Sequence, residues 1–350
     1  MTASSRAPLE LPASSVPDPR SAPALRWGLI SPGHIAGQFT RAVHAATASR
    51  VVAVTSRSQE RARAFADEHG IDAAFDSVEA MLSAGGLDAV YIASPHSVHH
   101  EQAAQVLAAG VPTLVEKAFA LNLAQAEDLV GSARRSGVFL MEAMWARFLP
   151  RYDVLRQVIA SGMLGELVLV RAEHGQHFPE DPEHRLYSPR LGGGALLDLG
   201  VYPISLAQML LGDLDQLTVQ GDLTRTGVDA TVAMLARGAG GGRAVLDTTL
   251  RTRTVNEAVV AGTLGRARLR ETFYAPGPLE VELHDGRTAR FDHPDGGEHG
   301  LAYEAAEVAR MLAADRTESP LMPWSDTLSV QRTLDAARAA LDVRFPGETA

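Results

Sequence analysis

From Leu25 onward, short apolar runs alternate with segments whose apolar positions recur at helical spacing. Leu25 to Ile30 and Val51 to Thr55 read as buried strands, and His34 to Thr47 and Gln59 to His69 as helices, the second stopped by Gly70. The rhythm continues with strands at Ala89 to Ala93, Thr113 to Val115 and Phe139 to Met141. Between them lie helices at His100 to Ala109 and Leu123 to Ser136, ending at Gly110 and Gly137. Repeated strand-helix units with nearly continuous apolar strands predict a parallel sheet covered on both faces, a doubly wound Rossmann fold over residues 25–148.

After Pro150 the pattern changes. One helix (Tyr152 to Ala160) leads to a strand (Glu166 to Glu173), a long loop and a second helix ending near Leu211. Six strand-like segments follow between Leu217 and His284, separated by turn residues. Two helices, near Tyr303 to Ala313 and Asp326 to Leu341, close the chain. This predicts an α+β domain over residues 149–350 with a large, mainly antiparallel sheet. Residues 1–24, rich in Ala, Ser and Pro, read as a disordered tail. Five interruptions, Pro8, Glu10, Pro12, Pro17 and Pro19, leave no room for a secretory signal.

Composition narrows the function. At 350 residues, two domains are the better expectation than one. A formal charge of −10 opposes binding to phosphate backbones, and no apolar run is read as approaching the length that crosses a bilayer, so the expected partner is a small molecule rather than nucleic acid or membrane. The chain has no cysteine, which removes disulfides and thiol catalysis and fits a cytoplasmic enzyme.

Gly28-Leu29-Ile30-Ser31-Pro32-Gly33-His34-Ile35-Ala36 lies where the first strand meets the first helix. Gly33 and Ala36 match the last two positions of the dinucleotide fingerprint G-x-G-x-x-G/A, with Ser31 in place of the first glycine. Ser31, Gly33, His34 and Ile35 are therefore candidates for the pyrophosphate turn. The second strand ends in Thr55-Ser56-Arg57, with Arg61 four residues on and no acid at the strand end. An acid there would hold the ribose 2′-hydroxyl of NAD, whereas arginines suit a 2′-phosphate. Ser56, Arg57 and Arg61 thus favour NADP over NAD.

Downstream motifs agree with one another. Ser94-Pro95-His96-Ser97-Val98-His99 resembles the T-P-N-x-x-H loop of the Gfo/Idh/MocA oxidoreductase family, and Glu116-Lys117-Ala118 resembles its E-K-P signature. The stretches Met141 to Pro150 (MEAMWARFLP) and Gly193 to Tyr202 (GGALLDLGVY), with Thr226-Gly227-Val228-Asp229 and Ser319-Pro320, resemble the dimeric dihydrodiol dehydrogenase and NADP-dependent D-xylose dehydrogenase branch of that family. The resemblance implies an active site between a Rossmann domain and a sheet domain, and a homodimer or higher homo-oligomer. It also puts Ser94, Pro95, His96, His99, Glu116 and Lys117 beside the cofactor. Ala118 departs from the proline of E-K-P and leaves the geometry of the preceding peptide bond open.

Oxidising an alcohol needs a hydride acceptor, a proton-transfer group and a positive charge facing the developing alkoxide. Lys117, at the C-terminal end of a parallel strand, fits the last role. Asp198 and Tyr202, four residues apart, would share a helix face, although Gly200 and Pro203 predict a local irregularity. The expected catalytic set is Lys117 and Tyr202 as the acid/base pair, with Asp198 orienting the site. A lysine close to the phenol would lower its pKa toward neutrality. Trp145, Arg147 and Phe148 are expected to border the substrate. His96 and His99 could form a metal pair with His174 or His177, but no further ligand stands at recognisable spacing, so no metal site is expected. The leading expectation is an NADP-dependent dehydrogenase acting on a sugar or vicinal diol. The alternatives are an NAD-retaining glycoside hydrolase of the same superfamily and a cofactor sensor without turnover.

Overall fold

A computed structural model describes residues 8–293 and 300–348. Six parallel strands, β1 (Arg26–Ile30), β2 (Arg50–Thr55), β3 (Ala73–Phe75), β4 (Ala89–Ile92), β5 (Thr113–Glu116) and β6 (Leu140–Ala143), form one sheet in the order β3-β2-β1-β4-β5-β6. The helices between them are α1 (His34–Ala46), α2 (Gln59–His69), α3 (Val78–Ala84), α4 (His99–Ala108) and α5 (Leu123–Ser136). The order reverses between β1 and β4, so the C-terminal strand ends open a crevice there, where ligands of such sheets bind. β4 and β5 are buried along their whole length, as the uninterrupted apolar runs predicted. The β3-α3 unit escaped the sequence reading because β3 is three residues long and α3 seven, too short for a periodic signal.

The second sheet has eight strands in the order β14-β13-β12-β11-β7-β10-β9-β8: β7 (Leu167–Gly175), β8 (Leu214–Leu223), β9 (Asp229–Gly238), β10 (Arg243–Thr249), β11 (Ala258–Gly262), β12 (Gly265–Leu269), β13 (Leu279–Leu283) and β14 (Thr288–Phe291). All pairs are antiparallel except β7 with β10. Helix α7 (Val201–Leu211) packs on β7 and β10 and covers one face. The stretch Pro189–Leu211 is long and apolar enough by composition to span a bilayer, contrary to the expectation that no run reaches that length. It is a core element here, with 89% of its most apolar window buried.

The remaining helices, α6 (Pro150–Ala160), α8 (Leu301–Ala313) and α9 (Trp324–Ala340), tie the two sheets together. Helix α8 packs on α1 and α9 on α5, and the Trp324 indole donates to the Leu140 carbonyl at 2.8 Å. The C-terminal part of the chain therefore buttresses the first sheet as well as the second.

The segment expected to be a disordered tail is docked from residue 8 on; residues 1–7 lie outside the described residues. Ser15 donates its backbone N–H to Asp153 at 2.6 Å, and Arg310 donates to the Asp18 carbonyl at 2.9 Å. Leu9, Leu11 and Val16 rest against the main core. Proline-rich composition suppresses regular structure, but an extended strap can still bury side chains against a surface formed by distant residues.

Candidate functional site

Four loops meet above the crevice. The first joins β1 to α1. Ser31 there has φ of 77°, the left-handed conformation that the fingerprint's first glycine would supply. Gly33 precedes α1 without a side-chain cap, so the first N–H groups of the helix are left for an external acceptor. A Cβ on Gly33 would meet nothing closer than the Ala93 carbonyl at 3.9 Å. Packing does not require this glycine, whereas the close approach of a pyrophosphate would. His34 and Ile35 open α1 and carry the uncapped amides. Ser56 follows β2, and Arg57 and Arg61 are exposed and make no ion pair among the described residues. The turn and the residues after β2 fit a nicotinamide dinucleotide. The chain would hold it through the amides at Gly33 to Ile35 and through the two guanidinium groups.

The second loop, Ser94 to His99, is fixed by side-chain bonds. Ser94 donates to the Gln102 side chain at 2.6 Å. Nδ1 of His96 lies 2.8 Å from the Gly192 carbonyl, and burial first of all, then His99, lowers its pKa to about 3. Pro95 starts the short turn that carries it. His99 is fully buried, with its ring nitrogens 3.0 Å from the Ala118 carbonyl and 2.8 Å from the Ser94 carbonyl. Only an imidazolium could donate to both, yet burial outweighs these bonds and pulls its pKa down. Both histidines are engaged with backbone, and no group of three potential metal ligands occurs among the described residues.

The third segment follows β5. The Lys117-Ala118 peptide is cis, which settles the point left open by the missing proline. Lys117 donates to the Asp198 carbonyl at 2.7 Å, approaches Asp198 Oδ1 at 3.4 Å, and sits 5.0 Å from the centre of the Tyr202 ring. Glu116 is buried behind it, accepts the Tyr91 hydroxyl, and is pushed above the usual carboxylate range by burial.

The fourth segment carries Asp198 and Tyr202. A π-type turn at Leu196–Gly200 runs into α7, the irregularity predicted from Gly200 and Pro203. Its start is held by Asp229, whose Oδ2 accepts the Leu196 N–H at 2.6 Å. A Cβ on Gly194 would lie 2.3 Å from Asp229 Oδ1, and one on Gly193 would lie 2.6 Å from the Leu186 carbonyl, so this glycine pair lets the turn approach both. Burial alone would raise the Asp198 pKa, but Lys117 and then Arg185, 3.1 Å from Oδ1, hold the carboxyl well below the usual range. The site therefore contains a fixed carboxylate between two cations.

Tyr202 is placed by aromatic neighbours. Its oxygen accepts the Trp145 indole N–H at 2.9 Å, and its ring stacks on Tyr274 with centroids 4.2 Å apart and planes 22° apart. The expectation that Lys117 would lower its pKa is not met: burial and then the Glu116 charge raise it well above 10. The physical reason is that the ammonium faces Asp198, so the phenol feels desolvation more than attraction. Tyr202 therefore keeps its phenolic proton at neutral pH.

Of the three residues expected to border the substrate, one remains at the site. Trp145 contacts Tyr202, whereas Arg147 is turned inward and bonds Ser205 Oγ at 3.0 Å, Gln208 Oε1 at 2.6 Å and Asp326 Oδ2 at 2.5 Å. Phe148 lies in the core. A short helical turn after β6 fans the three side chains apart, which residue order alone does not reveal. Arg185 and Tyr274, by contrast, were not anticipated, because no local motif marks them. His174, at the end of β7, likewise carries no local motif for a place beside Tyr202.

Fold and site together define a two-domain oxidoreductase built around a nicotinamide dinucleotide. The model of the oxidoreductase family with an NAD-binding Rossmann fold matches residues 25–144, and that of the GFO/IDH/MocA C-terminal domain matches residues 152–268. The chain belongs to the Gfo/Idh/MocA oxidoreductase family, as an NAD(P)-dependent dehydrogenase or reductase. It is similar to the trans-1,2-dihydrobenzene-1,2-diol dehydrogenases of Xenopus tropicalis, 33% identical over 92% of this chain and 100% of the relative, and of Homo sapiens, 35% identical over 92% and 98%. Among solved structures, a 3-ketoreductase from Actinomadura kijaniata in complex with NADP and TDP-benzene superposes with a TM-score of 0.81. It is 27% identical, over 91% of this chain and 98% of that one. An aldose-aldose oxidoreductase from Caulobacter crescentus, 20% identical over 91% and 98%, shares the fold with a TM-score of 0.83.

Proposed function

We propose that the chain is an NADP-dependent oxidoreductase that moves hydride between nicotinamide and a hydroxyl or carbonyl of a sugar or vicinal diol. The observation that carries this reading is the convergence of Lys117, Asp198 and Tyr202 at the end of β5. Bound cofactor would supply the hydride acceptor or donor. In the reductive direction, Tyr202 would donate its O–H proton to the carbonyl oxygen, and the Lys117 ammonium would face the developing alkoxide. Asp198 holds that ammonium in place. The preference for NADP rests on Arg57 and Arg61, and the NADP in the Actinomadura kijaniata 3-ketoreductase supports it. The dihydrodiol dehydrogenase relatives support a vicinal diol as substrate.

The test follows absorbance of the reduced cofactor, with NADP+ plus D-xylose, D-glucose or a trans-dihydrodiol, and with NADPH plus a dicarbonyl. Turnover with NADP+ well above that with NAD+ supports the reading. A hydrolase retaining NAD or a sensor would show no net change in absorbance with any of them.

A further inference from the structure

Beside Tyr202 lies a polar cluster that proton transfer does not use. His174, at the end of β7, has Nδ1 3.1 Å from the Leu199 carbonyl, and its Nε2 lies 2.8 Å from the Tyr274 hydroxyl and 3.0 Å from Gln176 Nε2. A carbonyl only accepts, so Nδ1 carries the ring proton and Nε2 is the acceptor. Burial and then Lys117 lower the pKa of His174 to about 3, so the ring stays in this neutral form.

The tautomer fixes its neighbours. Tyr274 donates its O–H to His174, which leaves the phenol with no proton for substrate and Tyr202 as the free donor of the stacked pair. Gln176 must turn its NH2 toward His174 Nε2 and the Tyr274 oxygen, 3.3 Å away. With the amide orientation set this way, its Oε1 faces away from both groups, and no described residue donates to it. Gln176 is only half-buried. A preorganised acceptor with no internal partner, one tyrosine ring from the proton donor, calls for a hydroxyl from outside.

We propose that Gln176 is a specificity-determining residue whose amide oxygen, oriented by His174 and Tyr274, accepts a substrate hydroxyl other than the one that reacts. The preferred substrate then carries at least one hydroxyl besides the reacting one, as a sugar or a vicinal diol does, over the analogue that lacks it. The proposal rests on the sugar-or-diol reading above and deepens it.

The experiment compares kcat/KM, with NADP+, for D-xylose, its monodeoxy analogues and trans-1,2-dihydrobenzene-1,2-diol, in the wild type and Gln176→Met. The variant keeps side-chain length and removes the acceptor. A neutral hydrogen bond corresponds to about a three- to tenfold change. The wild type is expected to discriminate against one deoxy sugar by that factor. Gln176→Met loses the same factor on D-xylose, no longer distinguishes that deoxy sugar, and changes the deoxy sugar itself by less than about twofold. NADP+ binding, read by tryptophan fluorescence, reports whether the variant folds. If it does not, Tyr274→Phe, which removes the hydroxyl that anchors the amide, is expected to shift the preference the same way. An equal loss on every substrate, or no loss on any, overturns the proposal alone. Absence of turnover of all of them by the wild type overturns the sugar-or-diol reading together with it.

Discussion

The Trp145 indole N–H points at the Tyr202 oxygen from 2.9 Å. An indole nitrogen only donates, so this contact cannot use the phenolic proton, which stays available for a substrate oxygen. The same bond stabilises the phenolate left after transfer. Trp145→Phe keeps a ring and removes the donor. Since hydrogen bonds to charged groups contribute roughly 1.5 to 3 kcal/mol, kcat for carbonyl reduction should fall by about ten- to a hundredfold with little change in NADPH affinity. Steady-state kinetics with separate cofactor titration checks the split.

Tyr202→Phe removes the proposed proton donor itself and should lower turnover by about a hundredfold to ten-thousandfold, with NADP+ binding retained. Because burial holds the Tyr202 pKa above 10, the phenol stays protonated through neutral pH. The wild-type rate of carbonyl reduction should therefore show no loss from this group until the pH exceeds about 10, the free phenol's value. A descending limb centred near pH 7 would assign the proton to another group. Lys117→Met should be at least as damaging, because it also leaves Asp198 with Arg185 as its remaining cation.

Arg57 and Arg61 bear on cofactor choice. Arg57→Ala should weaken NADP+ binding by about ten- to a hundredfold and leave NAD+ nearly unchanged, measured by fluorescence titration with each. An equal loss with both cofactors would show that the arginine contacts something common to the two.

Glu142 gives a pH dependence of stability. It is buried on β6, burial first of all raises its pKa to about 7, and its Oε2 has no partner. A carboxyl whose folded pKa is raised contributes stability that is complete below its unfolded pKa near 4.5 and is lost as pH rises through about 7. Glu142→Gln should therefore raise the thermal midpoint at pH 8 more than at pH 5. Thermal denaturation at the two pH values measures the difference.

Away from α7, the second sheet bears alternating charges, with Arg266 on Glu282 and Arg270 on Glu280, both at 2.7 Å, and Leu235 about half exposed among such residues on β9. We expect that face to pair with a second copy as a homodimer. Light scattering at micromolar concentration should give twice the chain mass, and Leu235→Glu should shift it toward the monomer.

The sequence by itself determined the two sheets, and it marked the turn at Ser31 to Gly33 and the residues Lys117, Asp198 and Tyr202, which the fold brings together. Strand and helix periodicity are local, and Ser31, Gly33 and Ala36 lie within one turn. Gly200 and Pro203 announced an irregular helix start, which proved to be the π-type turn. Tertiary structure decided what those residues face. Lys117 and Asp198 are 81 positions apart, and only the folded chain shows that the ammonium is spent on the carboxylate rather than the phenol. His174 and Tyr274, 100 positions apart, leave no periodic trace, and neither does the inward turn of Arg147. The proline-rich strap is similar, because its order depends on Asp153 and Arg310 rather than on its own preferences. Pairing, burial and the pKa values that follow from them depend on distances across the chain, and local sequence does not encode those distances.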